Sequence, residues 1–267
     1  MAIDRARAFA ALERFWELTA ADRRDRATRR IARATAEDVQ GVLKAQSVAF
    51  RKGLAGLKPK WQDEAARATL WPGDWIPYFD QAAHLTRPRM AAGLYDNILS
   101  ALWVGGGNLV DDVGAPVTIA FNLENPRAVA WAASRAAAEV TKINAATKEA
   151  VNRAIVSAVA NGDSYTRTAK TLATLFEFSP GRAKRIAVYE IGSAYEQGKK
   201  MAARELEAAG LRMEKKWQSV GDDRVRPAHR ENQAAGWISI DEMFPSGDDI
   251  PPADSGCRCV GLWRMAK

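Results

Sequence analysis

Apolar positions recur at intervals of three and four along most of this chain, which is the spacing of helices that bury one face. Near the start, Phe9, Leu12, Phe15, Trp16 and Leu18 form one such stripe, and no proline occurs before Pro59. Ala2 to about Lys58, rich in Ala, Arg, Glu and Leu, therefore reads as helix. The spacing predicts a second run from Thr35, where Thr35-Ala36-Glu37-Asp38 precedes Val39, Val42, Leu43, Ser47 and Phe50. From Lys58 to Arg89 the pattern breaks. Pro59, Pro72, Gly73, Pro77 and Pro88 punctuate it, so no continuous helix is expected there. Helical spacing resumes from Met90 to Leu102, and Gly105-Gly106-Gly107-Asn108 followed by Asp111-Asp112-Val113-Gly114 predicts a flexible loop.

The middle of the chain carries the clearest helical signals. Asn125 is placed to cap a helix with Pro126 at its first position, and Val129, Ala132, Ala133, Ala136, Val140 and Ile143 follow in phase. Thr147 is expected to begin a second helix through Val151, Ile155, Val156 and Val159, stopped by Asn161-Gly162. Ser164 caps a third, with Ala169, Leu172, Ala173 and Phe176. Ser179-Pro180 opens a longer fourth, with Ile186, Tyr189, Ala194 and Leu206, stopped by Gly210. Short loops between successive helices imply antiparallel neighbours. Beyond Gly210 the period changes. Met213 to Val220 alternates as a strand does, Trp237-Ile238-Ser239-Ile240 is a short apolar piece, and Cys257 to Trp263 reads as a closing strand. The fold class expected is mainly α, an antiparallel helical bundle (90–212) between an N-terminal helical arm with a Pro- and aromatic-rich segment (1–89) and a small C-terminal α+β or β-hairpin subdomain (213–267). A subdomain that small buries little core and needs a staple or a neighbour.

Charge changes this picture more than composition does. Hydrophobic residues at 47% and charged residues at 27% are ordinary for a globular chain, but the net charge is +7 and the pI about 9.5. Such a surface attracts polyanions. Arg23, Arg24, Arg26, Arg29, Arg30 and Arg33 concentrate that charge on one predicted helix, either as a solvated face or as a contact for DNA or an acidic partner. No run approaches the roughly 18 apolar residues of a membrane span, and the first residues lack the pattern of a secretory signal. Two cysteines, Cys257 and Cys259, make no disulfide framework, which suits synthesis in the cytosol.

Two groups of residues suggest chemistry or contact. Trp61, Trp71, Trp75, Tyr78 and Phe79 crowd the proline-broken segment, as anchors for a partner or for the core. His84, alone there, reads as a packing or hydrogen-bonding residue and not as a ligand. In the tail, Cys257 and Cys259 on a strand would face one side, with His229 as a third ligand and Asp223 or Asp222 as a fourth, in a tetrahedral zinc site. The competing reading is two buried cysteines and a hydrogen-bonded histidine. Catalysis by Asp222, Asp223 and His229 on a phosphodiester lacks a second base, an oxyanion turn and further histidines, so no catalytic residue is assigned and no enzyme is expected.

Three stretches in this order resemble the phage Mu F-like family of minor head, or head morphogenesis, proteins. They are Asn125-Pro126 to Trp131 with Val140 to Ile143; Ala160 to Ser164 with Ser179 to Glu190, holding Arg182, Arg185 and Glu190, then Ala194 to Gly198; and Lys216-Trp217 with Asp223-Arg224-Val225-Arg226-Pro227-Ala228-His229, Gly236 and Cys257-Arg258-Cys259. Tyr189 stands where Arg-Thr-Glu is the more usual run in the family, which removes an ion pair. The resemblance implies a minor structural protein of a tailed-phage head, present in the virion in few copies. It also implies portal or major capsid protein as partners, and roles in head assembly and in DNA packaging or ejection. A DNA-binding accessory protein and a metal-dependent phosphodiester hydrolase are the alternatives.

Overall fold

The computed structural model describes residues 5–63, 73–114 and 125–266, with side chains described from residue 26 onward. The fold is mainly helical with a small antiparallel sheet near the C-terminus. Helix α1 runs unbroken over Arg5–Leu54, 50 residues. The expected second start at Thr35 is therefore corrected: Thr35 is fully buried in mid-helix, not a cap. A 3₁₀ turn at Ala55–Leu57 leads to the short helix α2, Lys58–Gln62, which accepts Pro59 in its first turn where the missing N–H costs nothing.

Helix α3 spans Ile76–Val113. It absorbs Pro77 in its first turn and carries Pro88 in its interior, so the break expected to last until Arg89 ends earlier. It also runs straight through Gly105-Gly106-Gly107, which is a correction of the flexible loop. Only Gly114, at φ 56°, ends it. Helix α4, Pro126–Ala160, is likewise continuous where two helices were expected. The Thr147 hydroxyl bonds back to the Ile143 carbonyl at 2.6 Å instead of capping a new start. The other helix signals appear where the sequence places them. Asn125 Oδ1 accepts from the Arg127 amide, Ser164 caps α5 (Tyr165–Ala173), and Ser179 Oγ accepts from the Arg182 amide at the start of α6 (Pro180–Ala208). Gly162 and Gly210 close their helices at positive φ.

The chain forms two compact units, and the long helices contribute to both. One comprises residues 33–97 and 130–187. Its core holds Phe50, Trp75 and Phe79 edge to face, with centroids 5.7–6.1 Å apart, each ring at most 2% exposed. Buried Trp61 packs on Tyr165 and donates its indole N–H to the Asp163 carbonyl at 2.9 Å, tying α2 to the start of α5. Arg182 donates to Thr147 Oγ1, to the Ile143 carbonyl and to the Glu177 carbonyl, fastening the first turn of α6 to the middle of α4.

The other unit comprises residues 1–32, 98–129 and 188–267. Here the C-terminal part of α3 meets the middle of α6 almost backbone to backbone. A Cβ at Gly105 would stand 2.0 Å from the Tyr195 carbonyl oxygen, and one at Gly198 would stand 2.0 Å from that of Leu102. Beyond α6, strand β1 (Met213–Gln218) lies between β2 (Trp237–Ser239) and β3 (Val260–Met265), both antiparallel to it. Its alternating burial matches the expected strand. Between β1 and β2 a short helix, α7 (Pro227–Ala234), occupies what the sequence reads as polar loop.

Candidate functional site

The C-terminal sheet and α7 enclose a small core of Trp217, Phe244 and Cys259, with Ile238, Ala253 and Cys257 packed on it. Trp217 projects from β1, and the rings of Phe244 and His229 each lie 5.3 Å from it. His229 sits in the first turn of α7, which Pro227 starts without a side-chain cap. Cys257 and Cys259 lie in the segment leading into β3, not on the strand as expected from spacing. Even so, both sulfurs reach one atom. His229 Nδ1 is 3.6 Å from Cys257 Sγ and 3.5 Å from Cys259 Sγ. Both cysteines are free thiols. His229 and Cys259 are buried and Cys257 is half-buried, and all three line a pocket with Val220, Arg224, Val225, Arg226, Gly256 and Arg258.

The two thiols are electrostatically unequal. The Cys257 thiol is pushed down to about 6, chiefly by the hydrogen bond from Cys259, against burial and with help from the backbone N–H groups of Cys259 and Ala253 and from His229. The Cys259 thiol is pushed up by that same bond and by burial. The buried Trp217 indole N–H has no well-aligned acceptor, yet it lies near enough to Cys259 to favour its thiolate.

Around this core the charged side chains are occupied with one another. Asp222 takes both guanidinium nitrogens of Arg258 at 2.7 Å, and the hydrogen bonds from Arg258 hold its carboxyl below the ordinary range. Arg226 pairs with Asp254 at 2.6 Å, and Arg230 donates to the Asp222 and Asp223 carbonyls. Asp223 is exposed and lies outside the group formed by His229, Cys257 and Cys259. Asp222, one of the carboxylates considered for a metal-dependent hydrolase, is bound by Arg258.

A second cluster, which sequence reasoning missed, docks the sheet on α6. Buried Lys199 donates to the Gly261 carbonyl at 2.9 Å and to Glu196 at 3.4 Å, and Trp263 Nε1 donates to Glu196 at 3.3 Å. Lys215, on the inward side of β1 and 1% exposed, reaches Asp249 at 2.5 Å, with Lys200 on the same carboxylate. A lysine in phase with Met213 and Trp217 on the buried face of a strand was the available signal.

Residues 149–262 match the protein family described as Phage Mu protein F like protein. Over that span, the chain is similar to phage Mu F-like proteins. No curated protein and no solved structure matches it. The phage Mu F-like span takes in the end of α4, α5, α6, β1, α7, β2 and the start of β3, and so contains His229, Cys257 and Cys259. Of the family-like residues, Arg182 makes the α4 contacts, Arg185 lies 4.3 Å over the Phe176 ring, Glu190 and Trp217 are fully buried, and Arg224 and Arg226 line the cysteine pocket.

The remaining expected contact residues lie elsewhere. Trp61, Trp75 and Phe79 are spent inside the 33–97 and 130–187 unit, so they are not a free docking surface for a partner. Tyr78 is half-buried against Gly53 and Gly56, and Trp71 lies outside the described residues. Arg26, Arg29, Arg30 and Arg33 are exposed on α1, whereas the side chains of Arg23 and Arg24 lie outside the described residues. Among the described residues, no helix is long and apolar enough to cross a membrane.

Proposed function

We propose that this chain is a minor structural protein of a tailed-phage head, held at the portal or inner capsid, and that it acts in head assembly and in the packaging or ejection of DNA. The observation that carries this reading is the phage Mu F-like span at 149–262. The net charge of +7 and the exposed arginines of α1 suit a site beside packed DNA, whose phosphates would repel an acidic protein. In this reading the chain is made in the bacterial cytoplasm, and portal protein, major capsid protein or both are its partners.

Heads purified from the phage that encodes the chain test this. It is expected in the head fraction at few copies relative to the major capsid protein, and it should stay with portal protein after mild disruption. Its absence from heads, or full infectivity of particles assembled without it, overturns the proposal.

A further inference from the structure

We infer that His229, Cys257 and Cys259 form a zinc site with three protein ligands, which staples α7 to the segment entering β3. The argument begins with distances. Zinc bonds of about 2.3 Å to sulfur and about 2.0–2.1 Å to nitrogen, set at the tetrahedral angle, put sulfur and nitrogen about 3.6 Å apart. The two separations found are 3.5 and 3.6 Å. The same geometry puts two sulfurs about 3.8 Å apart, and all three ligand atoms lie within 4.8 Å of one another.

Hydrogen bonding, even with the bond from Cys259 to Cys257, leaves one of the two close sulfur-to-Nδ1 approaches unexplained. Both sulfurs converge on one nitrogen, Nδ1. An imidazole nitrogen carries either one proton or one lone pair, so it serves one sulfur in good geometry and not two. A cation between the three atoms uses that single lone pair and satisfies both sulfurs at once. Two sulfurs and an imidazole also select zinc over the hard cations, which take oxygen.

The surroundings assign the site a structural role. Among the described residues the group contains no fourth protein ligand, so the remaining position faces the pocket bounded by Val220, Arg224, Arg226, Gly256 and Arg258 and takes water. Of the surrounding carboxylates, Asp222 is held by Arg258 and Asp254 by Arg226. What the metal does is close the chain between positions 28 and 30 residues apart, across a core of little more than Trp217, Phe244 and Cys259.

The test uses the full chain, expressed with zinc in the medium and purified under reducing conditions without chelator. Elemental analysis is expected to give about one zinc per chain. Replacing zinc with Co²⁺ should produce thiolate-to-cobalt charge-transfer absorption together with the d–d bands of a tetrahedral ion. Cys257→Ser, Cys259→Ser and His229→Ala should each lose most of the metal, Asp223→Asn should keep it, and chelation should lower the melting temperature of the unmodified chain. Because the cobalt spectrum is read on the unmodified chain, the test survives a variant that fails to fold. A metal-free wild type without cobalt bands overturns the inference, as do ligand variants with undiminished zinc. Loss of metal in Asp223→Asn overturns the three-ligand assignment. None of these outcomes depends on where the chain sits in a particle.

Discussion

Asp249 illustrates how much can rest on one side chain. Burial pushes its carboxyl up, but Lys200 and Lys215 outweigh that and hold it below the usual carboxylate range. Lys215 is the more deeply buried partner, so for it burial prevails over the attraction and its ammonium is pushed down. Asp249→Asn would leave that buried ammonium facing an amide. We expect a loss of about 2–3 kcal/mol, less than the roughly 3–5 kcal/mol for breaking a fully buried pair because Asp249 is partly exposed. The sign of the pH dependence follows from the depressed folded pKa. The carboxylate's contribution is fully present above its unfolded value of about 4 and is lost as pH falls through the folded one. Urea midpoints of the variant and the parent should therefore differ near neutrality and converge in acid. A gap unchanged by acid would mean that the carboxylate charge is not what stabilises Lys215. Nothing in the sequence around Asp249 pairs it with Lys215, 34 residues away; the contact exists only once β1 and the loop are folded.

Among the elements, the glycines of α3 separate two meanings that look alike in sequence. Gly105-Gly106-Gly107 reads as a loop because three glycines weaken a helix by propensity alone. In the fold the helix continues, and the residues differ in what faces them. Gly105 opposes the Tyr195 carbonyl oxygen and Gly198 the Leu102 carbonyl oxygen, both backbone atoms that cannot turn aside, whereas nothing lies within 4 Å of a Cβ on Gly107. Gly105→Ala and Gly198→Ala should each destabilise by about 2–3 kcal/mol, at the upper end for overpacking. Gly107→Ala should stabilise by about 0.5–1 kcal/mol, the helix-propensity gain. Chemical denaturation of the three variants decides it, and a neutral or stabilising Gly105→Ala or Gly198→Ala would refute the close approach of the helices. Propensity also explains the misplaced helix starts. Thr35 and Thr147 resemble caps locally, but each sits on a buried face, and Thr147 spends its hydroxyl on Ile143 and Arg182.

For the whole molecule, the basic surface is the property that reaches outward. Arg26, Arg30 and Arg33 recur at helical spacing on α1 with Arg29 beside them, all exposed. If this face lies against duplex DNA, affinity should fall steeply with salt, and alanine at each arginine that contacts a phosphate should flatten the log–log slope by about one. Fluorescence anisotropy across a salt series measures this. An identical slope for the variant altered at Arg26, Arg29, Arg30 and Arg33 would remove DNA from the role of that face and leave an acidic protein partner.

By itself, the sequence determined the helical class, most helix ends in the middle of the chain, the strand at Met213–Gln218 and the candidate ligands His229, Cys257 and Cys259. These follow from local rules: periodic burial, side-chain caps, positive-φ glycines and ligand chemistry act over a few residues. Tertiary structure alone decided that α1, α3 and α4 run on through apparent breaks, that the aromatics near Trp75 turn inward, and that Asp222 pairs with Arg258. Each of those outcomes turns on a partner far along the chain, and burial against it outweighs the fraction of a kcal/mol that propensity assigns to most single positions.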